Sequence, residues 1–272
     1  MTGAKRYAKR KENVTNSTIK ADYDVASAQL YDDYVDGAPH MLYIAKYSIQ
    51  QAIGDVEGKR CIDAACGNGS YMLDLYRRGA SFVAGVDLSN DNLEISRKKL
   101  EEAGFESEEY ESFTQADLSV PQAYPGGPFD MMLMNLCVCY SETEEQLHGW
   151  MENAKMNLAE NGRLICLNTR GALPTGVRQE CIEHTGLDYL EITEDMMVDG
   201  EYPSYPPAFV RYSNGWETSY FYHSPETVVS AMEAAGFSRV SRLELECDPA
   251  YTGEADLSKI AEVVPYDFFI AR

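Results

Sequence analysis

Hydrophobic and polar positions change their period near Lys59 of this 272-residue chain. Before it, residues 22–53 carry apolar side chains at helical spacing, with Tyr23, Tyr31 and Tyr34 set among acids. After it, short apolar runs alternate with helical patterns. Arg60–Ala65, bounded by Gly58 and Gly67, predicts a first strand, and Ser70–Arg78 a helix that Gly79 ends. Phe82–Val86 reads as strand two, followed by a helix from about Asn90 to Ala103 with Ser89 as its N-cap. Tyr110–Thr114, Phe129–Asn135 and Arg163–Asn168 predict strands three to five. A long helix, Glu142–Ala159, precedes strand five, which starts after a turn at Asn161-Gly162. Strands alternating with helices imply right-handed crossovers and a parallel sheet.

Past Thr169 the alternation stops. Residues 170–215 are rich in Pro, Gly and Tyr (Tyr202, Tyr205, Pro206, Pro207) and too long for a plain connection, so they predict an inserted cap. The chain resumes with an aromatic strand, Trp216–Tyr222, and a helix begun by Ser224-Pro225-Glu226. Strands near Val240–Glu246 and Pro265–Ala271 close it. The resulting division is a basic flexible tail (1–20), a helical lid (21–58), a core (59–169), the cap (170–215) and the rest of the core sheet (216–272).

Charge narrows the choice of partner. The formal net charge is −21, and six of the 23 Lys/Arg lie in residues 1–20, leaving 17 basic against 43 acidic residues beyond them. Such a body repels phosphate backbones, which disfavours nucleic acid. No apolar run reaches the roughly 18 residues that span a bilayer, and the basic N-terminus lacks the apolar stretch of a secretory signal. The seven cysteines are scattered, with no CxxC pair, so we expect no metal site and a reducing, cytoplasmic location.

The chemistry concentrates at predicted strand ends. Asp63-Ala64-Ala65-Cys66-Gly67-Asn68-Gly69 leaves strand one and opens a helix, and its glycines let backbone approach a ligand closely. Eighteen residues after Gly69, strand two ends at Asp87, a carboxylate suited to both hydroxyls of a ribose. Asp117, after strand three, is placed to accept from an exocyclic adenine amine. Asn135 ends strand four, where the reacting end of the ligand would lie. A dinucleotide fold instead expects a small residue where Met72 stands, and Asp63 would repel a diphosphate.

From Asp63 through strand five the chain resembles class I S-adenosylmethionine-dependent methyltransferases. The stretch Ile53–Lys59 with the turn Tyr76–Ala80 also looks like small-molecule enzymes of the toxoflavin-synthase type. The resemblance implies an α/β, Rossmann-like fold. Its sheet would be seven-stranded and mostly parallel, the last strand antiparallel, with the N-terminal lid and the cap added. By it, Asp63, Ala65, Gly67 and Gly69, with Asn68, hold the methionine half of S-adenosylmethionine. Asp87 holds the ribose, Asp117 and Leu118 the adenine, Asn135 and Leu136 lie under the sulfonium, and Leu88 and Asn92 are further cofactor contacts. Tyr23 in the lid is a further expected cofactor contact.

Nineteen tyrosines suggest an aromatic-walled chamber for a planar or apolar acceptor. Tyr31, Tyr34, Trp216, Tyr220 and Tyr222 are the expected acceptor contacts, and strand parity puts Trp216, Thr218, Tyr220 and Tyr222 on one face. Candidate catalytic residues are His40, His223 and Tyr140. The expected reaction is methyl transfer to nitrogen, oxygen or carbon of a small acceptor. The alternative from another class is a non-catalytic cofactor-binding protein. A swapped N-terminal segment is the expected route to a homo-oligomer.

Overall fold

A computed structural model describes residues 30–272 apart from 32, 36, 106–111, 170–171, 174–176, 192–206, 216 and 265. The basic tail, Tyr23, Trp216, Tyr202 and Tyr205 lie outside the described residues. Residues around Tyr31–Tyr34 are helical, and a π-helical turn, Met41–Lys46, runs straight into α1 (Tyr47–Ile53). Alternation then begins: β1 (Arg60–Ala64), α2 (Ser70–Arg77), β2 (Phe82–Asp87), α3 (Asn90–Glu102) and β3 (Phe113–Gln115). The local signals act as expected. Gly79 takes φ 87° just past α2, where a left-handed residue ends a helix, and the Ser89 hydroxyl accepts from Asn92 N to cap α3.

β4 (Phe129–Asn135) leads through a 3₁₀ turn (Val138–Tyr140) to α4 (Glu144–Asn157) and β5 (Leu158–Thr169). Here the expectation needs correction. The helix stops at Asn157, and Asn161-Gly162 is no turn but part of a 12-residue strand. Its pairing with β4 slips between Phe129 and Met131. A Cβ at Gly162 would stand 2.8 Å from the Phe129 carbonyl oxygen, so glycine serves close strand contact there.

The main sheet runs β10-β11-β5-β4-β1-β2-β3, with β10 (Val240–Leu243) and β11 (Tyr266–Ala271) the last strands of the chain. β1 to β5 are mutually parallel, and β11 is antiparallel to both β5 and β10. This is the seven-stranded, mostly parallel sheet expected. Each face is buried. One carries α1, α2, α3 and the helical residues before α1; the other carries α4 and α6 (Pro225–Ala234). Met72 shows why a bulky residue belongs in α2. It is wholly buried, and a Cβ at Gly85 of β2 would lie 2.6 Å from its sulfur. Helix and sheet meet through that glycine. Truncating Met72 to Ala would cost about 2–5 kcal/mol.

Between β5 and α6 lies a second, four-stranded sheet in the order β6-β7-β8-β9 (Ala172–Leu173, Asp188–Glu191, Pro207–Arg211, Glu217–Phe221), with α5 (Arg178–Thr185) before β7. The aromatic strand assigned to the core sheet belongs here instead. β9 pairs antiparallel with β8 as a hairpin, while β10 and β11 complete the main sheet without it. Thr218 and Tyr220 are both buried, in keeping with their shared parity.

Candidate functional site

Parallel strands end together, so β1, β2 and β4 and the loop after β3 deliver their next residues to one edge of the sheet. A cavity of about 360 Å³ opens there. Its walls include Asp63, Ala65, Gly67 and Asn68 after β1, Asp87, Leu88 and Asn92 after β2, Asp117 and Leu118 after β3, and Asn135, Leu136 and Tyr140 after β4. Of the expected cofactor residues among those described, all but Gly69 line it. Gly69 stands behind the wall, at φ 73°, where a Cβ would meet Ser96 Oγ at 2.8 Å.

Two non-glycine residues among those described have positive φ: Ala65 at 60° and Leu136 at 52°. Both line the cavity. Left-handed backbone costs a residue with a Cβ roughly 1 kcal/mol or more. At both strand ends this turn aims backbone into the cleft, and the Leu136 N–H is fixed to Leu167 O at 2.7 Å.

The carboxylates are held differently. Asp87 Oδ2 accepts from Gly67 N at 2.9 Å, and its Oδ1 from Ser89 N at 2.8 Å and Asn92 Nδ2 at 3.4 Å. Burial raises its pKa, and these donors oppose the rise. Asp117 Oδ1 accepts from the backbone and hydroxyl of Ser119 at 2.8 and 2.7 Å. Asp63 is the least satisfied. Its Oδ2 is buried without a hydrogen-bond partner, as is Asn135 Oδ1. Burial, reinforced by the charge of Asp87, pushes the Asp63 carboxyl up to about 8.

These features fit S-adenosylmethionine. A cationic ligand group would satisfy the orphaned Asp63 oxygen, and the space facing Gly67, where a Cβ would meet nothing within 4 Å, leaves room beside the loop. Residues absent from the sequence reading also line the cavity. Lys46 and Met41 come from the π-helical turn, Tyr71 from α2, and Gln146 and Trp150 from α4. Trp150 gave no signal because its helix reads as ordinary. Gly149 beside it is informative in retrospect, since a Cβ there would strike the Ser119 carbonyl oxygen at 2.1 Å. α4 therefore sits flush on the loop after Asp117, and Asn153 of the same helix donates to Leu118 O and Val120 O.

The expected acceptor and catalytic residues divide. Tyr31 and Tyr140 line the cavity; Tyr34, Tyr220, Tyr222 and both histidines do not. His40 is fully buried, its Nε2 is 3.1 Å from the Tyr34 hydroxyl, and burial pushes its pKa down to about 3. His223 Nε2 lies 2.9 Å from Ser141 O and 2.8 Å from Ser141 Oγ, and burial pushes its pKa down to about 4. Neither ring lines the cavity: His223 ties its segment to Ser141, and His40 meets the Tyr34 hydroxyl, which also lies within hydrogen-bond distance of Thr185 O. Trp216 and Tyr23 are outside the described residues.

Residues 55–202, just over half of the chain, match the family described as Methyltransferase domain. The chain belongs to that family. Its cofactor is S-adenosylmethionine. The ubiquinone biosynthesis O-methyltransferase of Neisseria meningitidis serogroup C is 37% identical over 101 residues, 37% of this chain and 35% of that protein. The demethylmenaquinone methyltransferase of Lactococcus lactis is 28% identical over 163 residues, 59% of this chain and 58% of that protein. The chain thus spans about a third of the first relative and under two thirds of the second. An S-adenosylmethionine-dependent methyltransferase structure from Mesorhizobium loti superposes with TM-score 0.58 at 18% identity, covering 88% of this chain and 99% of that one. At that identity the likeness is one of fold. Among the described residues no helix is long and apolar enough to cross a membrane, and no group of three or more His, Cys, Asp or Glu could hold a metal.

Proposed function

We propose that this methyltransferase-family protein moves a methyl group from S-adenosylmethionine to an oxygen, nitrogen or carbon of a small aromatic or apolar metabolite in the cytoplasm. The observation that carries the proposal is one continuous cavity. It is lined by the strand-end acids Asp63, Asp87 and Asp117 and also by Tyr31, Met41, Leu42, Tyr71 and Tyr140, which we take as its lid-side end. A protein that only bound the cofactor would need the first part and not the second.

Bound S-adenosylmethionine supplies a methyl group on a sulfonium, activated for in-line displacement. The chain supplies position. Asp63 pairs with the cofactor's ammonium, Asp87 takes the ribose hydroxyls, and Asp117 with Leu118 and Trp150 holds the adenine. Lys46 takes the cofactor's carboxylate. Gln50, one helical turn beyond Lys46, donates to Asp74, one turn beyond Ser70. Lys46 lines the same cavity as Ser70 at the start of α2 and as Gly67 and Asn68 of the glycine loop, which supports the carboxylate contact. Asn135 and Leu136 shape the wall at the sulfonium. Tyr140 orients the acceptor's nucleophile, and the apolar lid side excludes water from the reacting atoms.

The relatives named for ubiquinone and demethylmenaquinone methylation act, by those names, in quinone chemistry, which supports a flat ring as acceptor. The test is incubation with methyl-labelled S-adenosylmethionine and a panel of small phenols, amines and activated carbon acids. Label in a small product supports the reading. Label appearing only in added ribosomal RNA would replace it.

A further inference from the structure

We propose that Tyr212 and Tyr220, neither of which lines the cavity, form a yoke that sets the gap between two of its aromatic walls, Tyr31 and Tyr140, and thereby selects flat acceptors. This rests on the reading of the lid-side end as the acceptor chamber. The two walls come from separate parts of the chain: Tyr31 from the helical lid and Tyr140 from the 3₁₀ turn after β4. What joins them is the β8–β9 hairpin. Tyr212, just past β8, meets the lid on two rings, edge-on to Tyr34 at 4.7 Å and to Tyr31 at 6.3 Å between centroids. Tyr220, in β9, packs on Tyr140 at 5.3 Å. The hydroxyls of Tyr212 and Tyr220 lie 2.5 Å apart, and both side chains are buried.

Each end of the hairpin is pinned a second time. At the lid, Asn214 Nδ2 donates to Leu30 O at 2.6 Å. At the 3₁₀ turn, His223, two residues past β9, bonds to the backbone and hydroxyl of Ser141, next to Tyr140. His223 is thus a positioning residue for the turn that bears Tyr140. The hairpin is fastened at both ends, and within it the hydroxyl contact between Tyr212 and Tyr220, alongside the β8–β9 ladder, ties the ring packed on the lid to the ring packed on Tyr140. A buried hydroxyl pair is short and directional, and packed aromatic contacts transmit a displacement instead of absorbing it. The gap is therefore fixed, and a fixed gap between two rings favours a planar guest over a puckered one.

Tyr212→Phe and Tyr220→Phe keep both rings and remove the contact. The probes are 2-naphthol, which is flat, and 4-cyclohexylphenol, which is not, titrated by fluorescence into protein saturated with S-adenosylhomocysteine. The wild-type protein binds 2-naphthol saturably and more tightly. Each variant lowers that preference about three- to tenfold, the span expected for one lost hydrogen bond. The double variant lowers it by less than the two single effects combined, since both changes break the same contact. S-adenosylhomocysteine affinity stays within about twofold, a split that general loosening of the fold would not give. Unchanged preference in both variants overturns the yoke, and so does failure of 2-naphthol to bind the loaded wild-type protein. Failure of S-adenosylhomocysteine to bind the wild-type protein is a separate result, which removes the cofactor assignments and the yoke together.

Discussion

Asp87 Oδ2 accepts a hydrogen bond from the Gly67 N–H at 2.9 Å, so the acid at the end of β2 holds the glycine loop of β1 in shape before any ligand arrives. Each carboxylate oxygen has two acceptor sites; with Oδ1 taken by Ser89 N and Asn92 Nδ2, one site on Oδ2 remains for a ribose hydroxyl. Asp87→Ala strands the Gly67 and Ser89 donors as well as the ribose. We expect a loss of stability of about 1–3 kcal/mol and a fall in S-adenosylhomocysteine affinity of more than about tenfold. Thermal melts and calorimetric titration read the two effects separately. A variant with wild-type affinity removes the ribose assignment.

Asp63 makes the protein pH-sensitive. Its folded-state pKa, raised to about 8, exceeds that of an exposed Asp, so the folded apoprotein holds a proton that the unfolded chain gives up. The sign follows: this group favours folding at low pH, and its contribution is lost as pH rises from about 4 through about 8. Asp63→Asn should flatten that part of the stability profile. Pairing with the ligand ammonium requires the carboxylate, so S-adenosylhomocysteine binding near pH 7 should release about one proton, measurable in buffers of different ionisation enthalpy. Equal proton release by wild type and Asp63→Asn contradicts the pairing.

Gly67 and Gly69 separate two kinds of constraint. At Gly67 the obstacle to a side chain is conformation, φ 51°, and the side chain would project into open space beside the ligand. Gly67→Val should abolish S-adenosylhomocysteine binding, and Gly67→Ala should cost roughly 1 kcal/mol of stability. At Gly69 the obstacle is Ser96 as well, so Gly69→Ala should lower the melting temperature more than Gly67→Ala does. The reverse order of melting temperatures would contradict this account of the loop.

Lys46→Met isolates the carboxylate contact. Affinity for S-adenosylhomocysteine should fall about three- to tenfold, as for a partly exposed charged hydrogen bond, while adenosine, which lacks the carboxylate, should bind as before. An equal loss for both ligands would assign Lys46 to general packing of the lid.

The core was legible because each of its signals is local. Ser89 and Ser224 cap helices as their positions predict, and Asp63, Asp87 and Asp117 stand at strand ends that the alternating pattern already marks. β9 was misplaced because strand parity shows which residues share a face but not which sheet receives the strand; pairing with β8 is a tertiary fact. Lys46, Gln146 and Trp150 were missed because they reach the cavity from helices whose patterns carry no ligand signature. His40 and His223 attracted attention as titratable groups near the expected cover, yet His40 is buried against Tyr34 and His223 ties its segment to Ser141. Residue type alone does not distinguish a base from a buried tie.

The measurement that tests the central claim most directly is calorimetric titration of the purified protein with S-adenosylhomocysteine, with NAD as the parallel control. The account predicts saturable binding of S-adenosylhomocysteine in the micromolar range and none of NAD. Binding of NAD alone, or of neither ligand by a folded sample, would contradict it.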